Sequence, residues 1–378
     1  MIPFNKASFM GNEQAYIAEA IANRHISGDG PFTKRAQALL QEATGAPHVL
    51  LTTNCTHALE MSALLLDLEP GDEVIVPAFT FVSTVNAFAL RRAVPVFVDV
   101  RPDTLNIDER LIESSITPKT KAIVVVHYAG VGCEMEAIGE IARRHNLVLI
   151  EDNAHGLFAT YRGKQLGTFG ALATQSFHET KNFTCGEGGA LVVNDERYYE
   201  RAEILREKGT NRARFFRGAV DKYTWVDLGS SYVPSDILAA FLLAQLEHRE
   251  RIQRIRAQIW NRYYDGLRGW AGSAGIQLPH VPPDREQSHH MFYMLLPTLN
   301  ERTRFLKELQ EHGVNAVFHY TPLHVSEAAQ RVGARGVCPV TESVSDRLVR
   351  LPFYNSLAPE DQATVIDVVR NFAPTVHA

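Results

Sequence analysis

This sequence predicts an α/β fold: a mostly parallel sheet with helices on both faces, followed by a smaller C-terminal α+β domain. Three observations carry the prediction. From His48 to Val193 short apolar runs alternate with helix-like stretches, the rhythm of βα units. A Pro-rich segment, Pro279 to Asp284, precedes a second, shorter set of elements. The 378 residues, 45% hydrophobic and 21% charged, are enough to bury a large core and a smaller one.

In chain order, Glu13 to Ala22 carries a helical pattern and stops before His25-Ile26-Ser27-Gly28-Asp29-Gly30-Pro31, which must be a loop. The loop reads equally as a connector or as a segment facing a ligand or a second subunit. Phe32 to Ala43 is a helix and His48 to Leu51 a strand. The hydroxyl-rich turn Thr52-Thr53-Asn54-Cys55-Thr56 then enters a buried helix, Ala58 to Leu66. Free N–H groups at such a helix start favour a phosphate, although a Thr or Asn cap is the commoner use of these residues. Glu73 to Pro77 and Pro95 to Asp99 are strands, with Thr80-Phe81-Val82-Ser83-Thr84 opening the helix between them. Lys121 to Val126 is a strand, Met135 to His145 a helix and Leu147 to Ile150 a buried parallel strand.

After Gly189, Ala190 to Val193 is a strand and Arg197 to Lys208 a charged helix. Gly209 to Trp225 is basic, aromatic and irregular. It reads as a solvated face, or as a loop reaching a phosphorylated substrate or a neighbouring subunit. Ser235 to Leu267 is one long amphipathic helix leading out of the first domain, which divides the chain into residues 1–250 and 251–378. In the second part, strands His290 to Leu296 and Val314 to Phe318 flank a helix from Glu301 to His312. A helix from Pro359 to Phe372 closes the chain.

A net charge of −5 and a pI near 6.3 leave no electrostatic footprint for nucleic acid or an anionic membrane. Cys55, Cys133, Cys185 and Cys338 are scattered, without metal-ligand spacing, and read as reduced thiols. No metal site is expected. The N-terminus has no apolar signal core and no stretch approaches a membrane span, so a soluble, cytoplasmic protein is expected.

Ligands in sheets of this kind bind at the carboxyl ends of strands. The Thr53–Thr56 turn, Phe81 and Asp152 each follow a strand directly, so they converge at one edge. No Gly-x-Gly-x-x-Gly opens a helix, which argues against a dinucleotide fold. The stretch from Leu147 to Gly189 organises the rest. Asp152 at a strand end, followed by Lys181 within Ser176-Phe177-His178-Glu179-Thr180-Lys181-Asn182, suits pyridoxal phosphate. The lysine bonds the cofactor's aldehyde, and the aspartate keeps the pyridinium nitrogen protonated. Alone, the Asp reads as a helix cap and the Lys as a solvated side chain. Asn54, Cys55 and Thr56 supply a phosphate cup, Ser176 a hydroxyl for the same phosphate, and Phe81 and His155 flank the ring. His178 has no role beyond a hydrogen bond.

The order of Thr53-Asn54-Cys55-Thr56-x-Ala58-Leu59, Thr80-Phe81-Val82-Ser83-Thr84, Val126-His127-Tyr128-Ala129-Gly130, Glu151-Asp152-x-Ala154-His155 and Ser176-Phe177-His178-x-x-Lys181-Asn182-x-Thr184 resembles the DegT/StrS-type sugar aminotransferases of pyridoxal-phosphate fold type I. Tyr320-Thr321-Pro322-Leu323-His324 extends the likeness into the second domain. The resemblance implies a seven-stranded, mostly parallel sheet in the large domain. It implies Lys181 as the Schiff-base lysine, Asp152 as the pyridinium partner and Phe81 as the stacking aromatic. Ser176 and Thr56 fall at phosphate-binding positions, and His155 lies against the ring. Pyridoxamine phosphate (PMP) is then the intermediate form, L-glutamate the amino donor, a nucleotide sugar the acceptor, and the assembly a homodimer with shared active sites.

Cys55 to Met61, Arg101 to Asp108, Glu207 to Arg212 and Phe215 to Gly218 are similar to one branch of that family. That branch aminates C4 of dTDP-4-dehydro-6-deoxy-D-glucose, giving dTDP-4-amino-4,6-dideoxy-D-galactose for enterobacterial common antigen, a surface polysaccharide. Arg212, Arg217, Tyr320 and His324 are candidate substrate contacts by charge and location. The chain departs from many relatives at Tyr232-Val233-Pro234-Ser235, where no Asn is available at Val233 to reach the partner's phosphate. A group from residues 209–225 is expected to substitute. Asn153 replaces the usual Ala beside Asp152. Lys181 stands where sugar dehydratases of the family carry His, which favours transamination. A C3-keto sugar is the alternative acceptor, and a non-catalytic sugar-sensing protein is disfavoured by the intact Lys181, Asp152 and phosphate turn.

Overall fold

The computed structural model describes residues 1–375. Helices Glu13–Ala22 (α1) and Pro31–Thr44 (α2) precede strand His48–Thr52 (β1). Then follow Cys55–Leu65 (α3), Glu73–Pro77 (β2), Val82–Ala89 (α4), Val94–Val98 (β3), Thr120–Val126 (β4), Met135–Arg144 (α5) and Val148–Asp152 (β5). Leu172–Ser176 (β6) and Gly189–Val193 (β7) complete the main sheet, and Tyr199–Arg206 (α6) and Asp236–Glu247 (α7) pack on it. The main elements of the C-terminal part are Arg249–Ser273 (α8), Tyr293–Leu295 (β8), Leu299–Glu311 (α9), Leu348–Arg350 (β9) and Pro359–Asn371 (α10).

The seven strands lie in the order β1-β7-β6-β5-β4-β2-β3. All pairs are parallel except those made by β7, which runs antiparallel to both β1 and β6. The reason is the connection. A parallel step needs a crossover, usually a helix, whereas the Phe177–Gly188 loop turns back on itself with Phe177 N–H donating to Gly188 C=O at 2.8 Å. Lys181 rides on that loop.

Successive side chains of a strand face opposite sides, and both sides of this sheet are covered. Ile150, Val124, Val74 and Val76 enter the apolar cluster under α3 and α4; Leu149, Ile123, Val125 and Ile75 enter the one under α5. This two-sided burial is why the strands read as unbroken apolar runs. A separate cluster gathers Tyr263 and Leu267 of α8, Phe305 of α9, Val365 of α10 and Ile2 from the start of the chain around the β8–β9 pair.

Four expectations need correction. The helix expected over Ser235 to Leu267 is two helices that meet at His248, whose ψ of 17° leaves helical geometry. The first is buried nearly all round in the sheet cluster and the second lies along the C-terminal cluster, so a straight rod cannot serve both. Val314 to Phe318 is not a continuous strand: Val314 pairs with Ile2 and Val317 with Arg350, each as an isolated bridge. The strand expected over His290 to Leu296 is confined to Tyr293–Leu295; at its start the His290 carbonyl accepts from Arg256 Nη2 instead of a neighbouring strand. Residues 209–225, expected to be irregular, hold a short helix, Arg212–Phe216.

The loop between α1 and α2 is tied to the start of α7. Asp236 N–H donates to Ile26 C=O at 3.1 Å, and a Cβ on Gly30 would collide with the Asp236 carboxylate. That carboxylate is fully buried and accepts from Phe32 N–H (3.2 Å), Thr33 N–H (2.8 Å) and Thr33 Oγ1 (2.7 Å), capping α2 from a distance. Asp236→Ala strands three buried donors and is expected to lower unfolding stability by about 3 kcal/mol, read as a fall in the denaturant midpoint, with Asp236→Asn costing less.

Candidate active site

Asn54 ends the extended segment after β1 and caps α3, its side chain accepting from His57 N–H at 2.8 Å. Its carbonyl accepts from Thr52 Oγ1 at 2.8 Å, and Thr56 Oγ1 meets Ser83 Oγ at 2.8 Å. Cys55 and Thr56 therefore start the helix with their N–H groups at its positive end, among hydroxyls. Gly189 at the start of β7 lies directly behind this turn, and a Cβ there would fall inside the radius of the Asn54 carbonyl carbon.

The carboxyl ends of β1, β2, β5 and β6 open into one cavity of about 910 Å³. Asn54, Cys55, Thr56, Phe81, Asp152, His155, Ser176, Lys181 and Tyr320 all line it, so the expected convergence is present. Arg212, Arg217 and His324 do not line it. Arg217 pairs with Glu203 of α6 at 2.8 Å, Arg212 lies 3.8 Å from Glu207, and His324 Nε2 meets Glu342 at 3.0 Å. Each finds a nearby carboxylate on its own surface before it can reach the cavity.

Glu151 and Asp152 are consecutive buried acids with opposite fates. Glu151 faces away from the cavity and accepts from His127 Nε2 (2.9 Å) and from the N–H groups of Gly167 (2.8 Å), Phe169 (2.7 Å) and Gly170 (2.7 Å). Burial alone would raise its pKa, but His127 and these N–H groups outweigh it and the pKa is lowered. Asp152 faces the cavity with two partners, Thr84 Oγ1 at 2.7 Å and Ala154 N–H at 3.2 Å. Here burial wins and the pKa is raised. Burial pushes the Lys181 ammonium the other way, downward, with Cys55 and Asp152 opposing.

His155 is buried, its Nδ1 has no hydrogen-bond partner, and its ring stacks on His290 at 4.2 Å between centroids and 15° between planes. Burial, with Lys181 nearby, holds its pKa well below the ordinary value. Phe81 is 57% exposed at the cavity rim, with its ring 6.2 Å from that of Tyr320. The two rings, His155 inside and Phe81 at the rim, leave a slot for a flat group.

The residues fit pyridoxal phosphate on these grounds: an under-satisfied buried carboxylate for a ring N–H⁺, a buried amine, a helix N-terminus for the phosphate and aromatic surfaces around the slot. Sequence reasoning missed Thr84, which orients Asp152, and the cavity walls supplied by His290, His319 and Arg350. Thr84 carried a usable signal, lying in the helix start already singled out; the other three come from the C-terminal part with no local motif.

Because the folded pKa of Asp152 is raised, its proton is held more tightly in the fold. That contribution is present at low pH and is lost as pH rises through the folded pKa. In cofactor-free protein, Asp152→Asn is therefore expected to melt roughly 2–4 °C above the unsubstituted chain at pH 8, with the gap closing toward pH 4. Thermal unfolding across that pH range checks it; a variant less stable at pH 8 would contradict the charge argument.

Residues 8–370 match the model of the DegT/DnrJ/EryC1/StrS aminotransferase family. GDP-perosamine synthase of Caulobacter vibrioides is 35% identical over 322 residues, covering 83% of each chain. The solved aminotransferase TlmJ from Streptoalloteichus hindustanus superposes with a TM-score of 0.90 at 32% identity, over 98% of each chain. Spr1654 from Streptococcus pneumoniae in its PMP-form superposes with a TM-score of 0.90 at 28% identity, also over 98% of each chain. With the cavity residues in place and this likeness along its length, the chain belongs to the DegT/DnrJ/EryC1/StrS aminotransferase family and is a pyridoxal-phosphate-dependent sugar aminotransferase.

Proposed function

We propose that the protein moves the amino group of L-glutamate to C4 of dTDP-4-dehydro-6-deoxy-D-glucose, giving dTDP-4-amino-4,6-dideoxy-D-galactose for enterobacterial common antigen or a related surface polysaccharide. The observation that carries this reading is the convergence of Lys181, Asp152 and the start of α3 on one cavity of about 910 Å³, room for a cofactor and a sugar together. The likeness of Cys55 to Met61, Arg101 to Asp108 and Glu207 to Arg212 to the C4-aminating branch supports the position of transfer.

Pyridoxal phosphate, when bound, supplies the electron sink and carries the amino group between the two substrates. Lys181 holds the cofactor through Nζ. Once displaced, it takes a proton from the donor's α-carbon and later delivers one to C4 of the sugar, work that its lowered pKa suits. Asp152, set by Thr84, keeps a proton on the ring nitrogen. Asn54, Cys55, Thr56 and Ser176 bind the phosphate, and His155 and Phe81 flank the ring. Tyr320, lining the cavity, remains a sugar contact.

Arg212 and Arg217 serve a second copy in this reading. They sit on a loop whose Phe216 and Trp225 are 69% and 72% exposed, an apolar surface that suits a homodimer with shared sites. In that arrangement the 209–225 loop replaces the phosphate contact that Val233 cannot make. His324, held by Glu342, is set aside as a contact.

Absorption spectroscopy tests the assignment. The visible band of the cofactor-loaded protein is expected to fade with L-glutamate and return with the dTDP-linked 4-keto-6-deoxy sugar. Return only with a 3-keto sugar moves the amination to C3, and return only with a GDP-linked sugar changes the nucleotide. Lys181→Ala is expected to lower turnover at least 10²- to 10⁴-fold, roughly the worth of a positioned general base, while cofactor still binds. Full activity in that variant would sink the mechanism.

A further inference from the structure

Arg350 lines the cavity and has no part in the mechanism above. It ends β9, and its backbone is paired on both sides, with Tyr293 of β8 and with Val317, where Arg350 N–H donates to the carbonyl at 2.7 Å. The side chain is thus aimed by a fixed strand. Its guanidinium donates through Nη2 to Phe318 C=O at 3.3 Å and lies 4.8 Å from the Phe4 ring centre. Nε is buried without a hydrogen-bond partner.

The buried arginines of this chain are better served. Arg206 pairs with Asp29, and Arg285 with Glu134 at 2.6 Å. Arg256 donates to His289 C=O (2.9 Å), Asn355 (2.8 Å) and His290 C=O (2.5 Å). Among the described residues Arg350 has no carboxylate. Burial lowers its pKa, with Tyr128 and Tyr320 opposing, yet a guanidinium keeps its charge in proteins. A permanently charged fork, half-buried at the cavity wall with its Nε buried and no anion of its own, suits a carboxylate or a phosphate.

Geometry separates the candidate anions. The cofactor's phosphate is claimed by the start of α3. On an amino-acid donor, the α-carboxylate and the reacting nitrogen share one carbon, so the carboxylate must lie close to Lys181. On a hexose, C1 and its diphosphate lie across the ring from C4, which places the diphosphate away from Lys181. Arg350 lines the same cavity as Lys181, His155, His290 and His319, whose pKa values are lowered chiefly by burial and, to a smaller degree, by its charge. We propose that Arg350 is the donor-binding residue, its guanidinium taking the α-carboxylate of the amino-acid donor through two parallel hydrogen bonds; this rests on the aminotransferase reading above.

Cofactor-loaded protein is titrated with L-glutamate, L-glutamine, L-aspartate and L-alanine while the visible band is followed, and the donor is whichever bleaches it. Bleaching by a donor other than glutamate corrects the donor's identity and leaves the role of Arg350 to be read with that donor. If none bleaches the band, the aminotransferase reading fails and the proposal falls with it. In R350Q the half-saturating donor concentration is expected to rise roughly 10- to 100-fold, the worth of a charge-assisted pair. R350K, which keeps a point charge and so protects against a folding defect, should give a smaller rise. The keto-sugar concentration that restores the band should stay within about 2-fold in both variants. A second readout is calorimetric binding of the donor's deaminated acid (glutarate for glutamate), which should weaken in parallel. An unchanged donor response, or a shift confined to the keto sugar, overturns the proposal, the latter assigning Arg350 to the diphosphate.

Discussion

The site depends on the carboxylate of Asp152, buried at the end of β5 with fewer partners than its charge calls for. A buried anion with only a hydroxyl and one N–H to accept from is costly, and the raised pKa records that cost. The cost becomes an attraction when a cation arrives. A protonated ring nitrogen is such a cation, so in the proposed role the same under-satisfaction would favour the cofactor's protonated form. Thr84, itself paired with Thr80 at 2.8 Å, fixes where the carboxylate points.

Glu151 shows that the fold is capable of the opposite outcome one residue away. The pleat sends its side chain to the other face, where His127 and three N–H groups satisfy it. The two acids differ in surroundings more than in chemistry. Glu151 closes the loop from Gly167 to Gly170 against the sheet, and Asp152 is left free for a ligand. A register slip of one residue would exchange these roles, so the parallel pairing of β4, β5 and β6 specifies the chemistry as well as the architecture.

Much of this was legible in the sequence because it is local. Strand ends followed by hydroxyls, an aromatic or an acid mark the carboxyl edge of a parallel sheet. Asn54, Thr56, Phe81 and Asp152 follow that rule, and Lys181 was found from its order after Asp152 and Ser176. The break at His248 was not legible: the polar run Glu247 to Arg251 interrupts the apolar pattern but carries no Gly or Pro stop signal, and only the separation of two cores forces the bend. The second strand pair was blurred for a related reason. The β8–β9 ladder is only three pairs long, and beside it residues 314–318 join through single bridges, such as Val317 with Arg350. Arg212, Arg217 and His324 were chosen for charge and position, and within one chain each is held by a nearby glutamate that sequence order alone does not disclose.

The walls of the cavity come from distant parts of the chain, and this division has a chemical sense. The sheet edge supplies the groups that suit a cofactor: the start of α3, Asp152 and Lys181. The C-terminal elements, with Phe4 from the other end of the chain, supply Arg350, His290 and His319. His290 and His319 are kept neutral chiefly by burial, so they add polarity without adding charge. The sheet side thus faces the cavity with the Asp152 carboxylate beside the Lys181 amine, and the C-terminal side with the Arg350 cation. A ring carrying a positive nitrogen and an amino acid carrying a negative carboxylate are complementary to that carboxylate and that cation, each at its own wall. Ile2 packs in the C-terminal core and pairs with Val314, so the chain's first residues brace the wall that holds the cation.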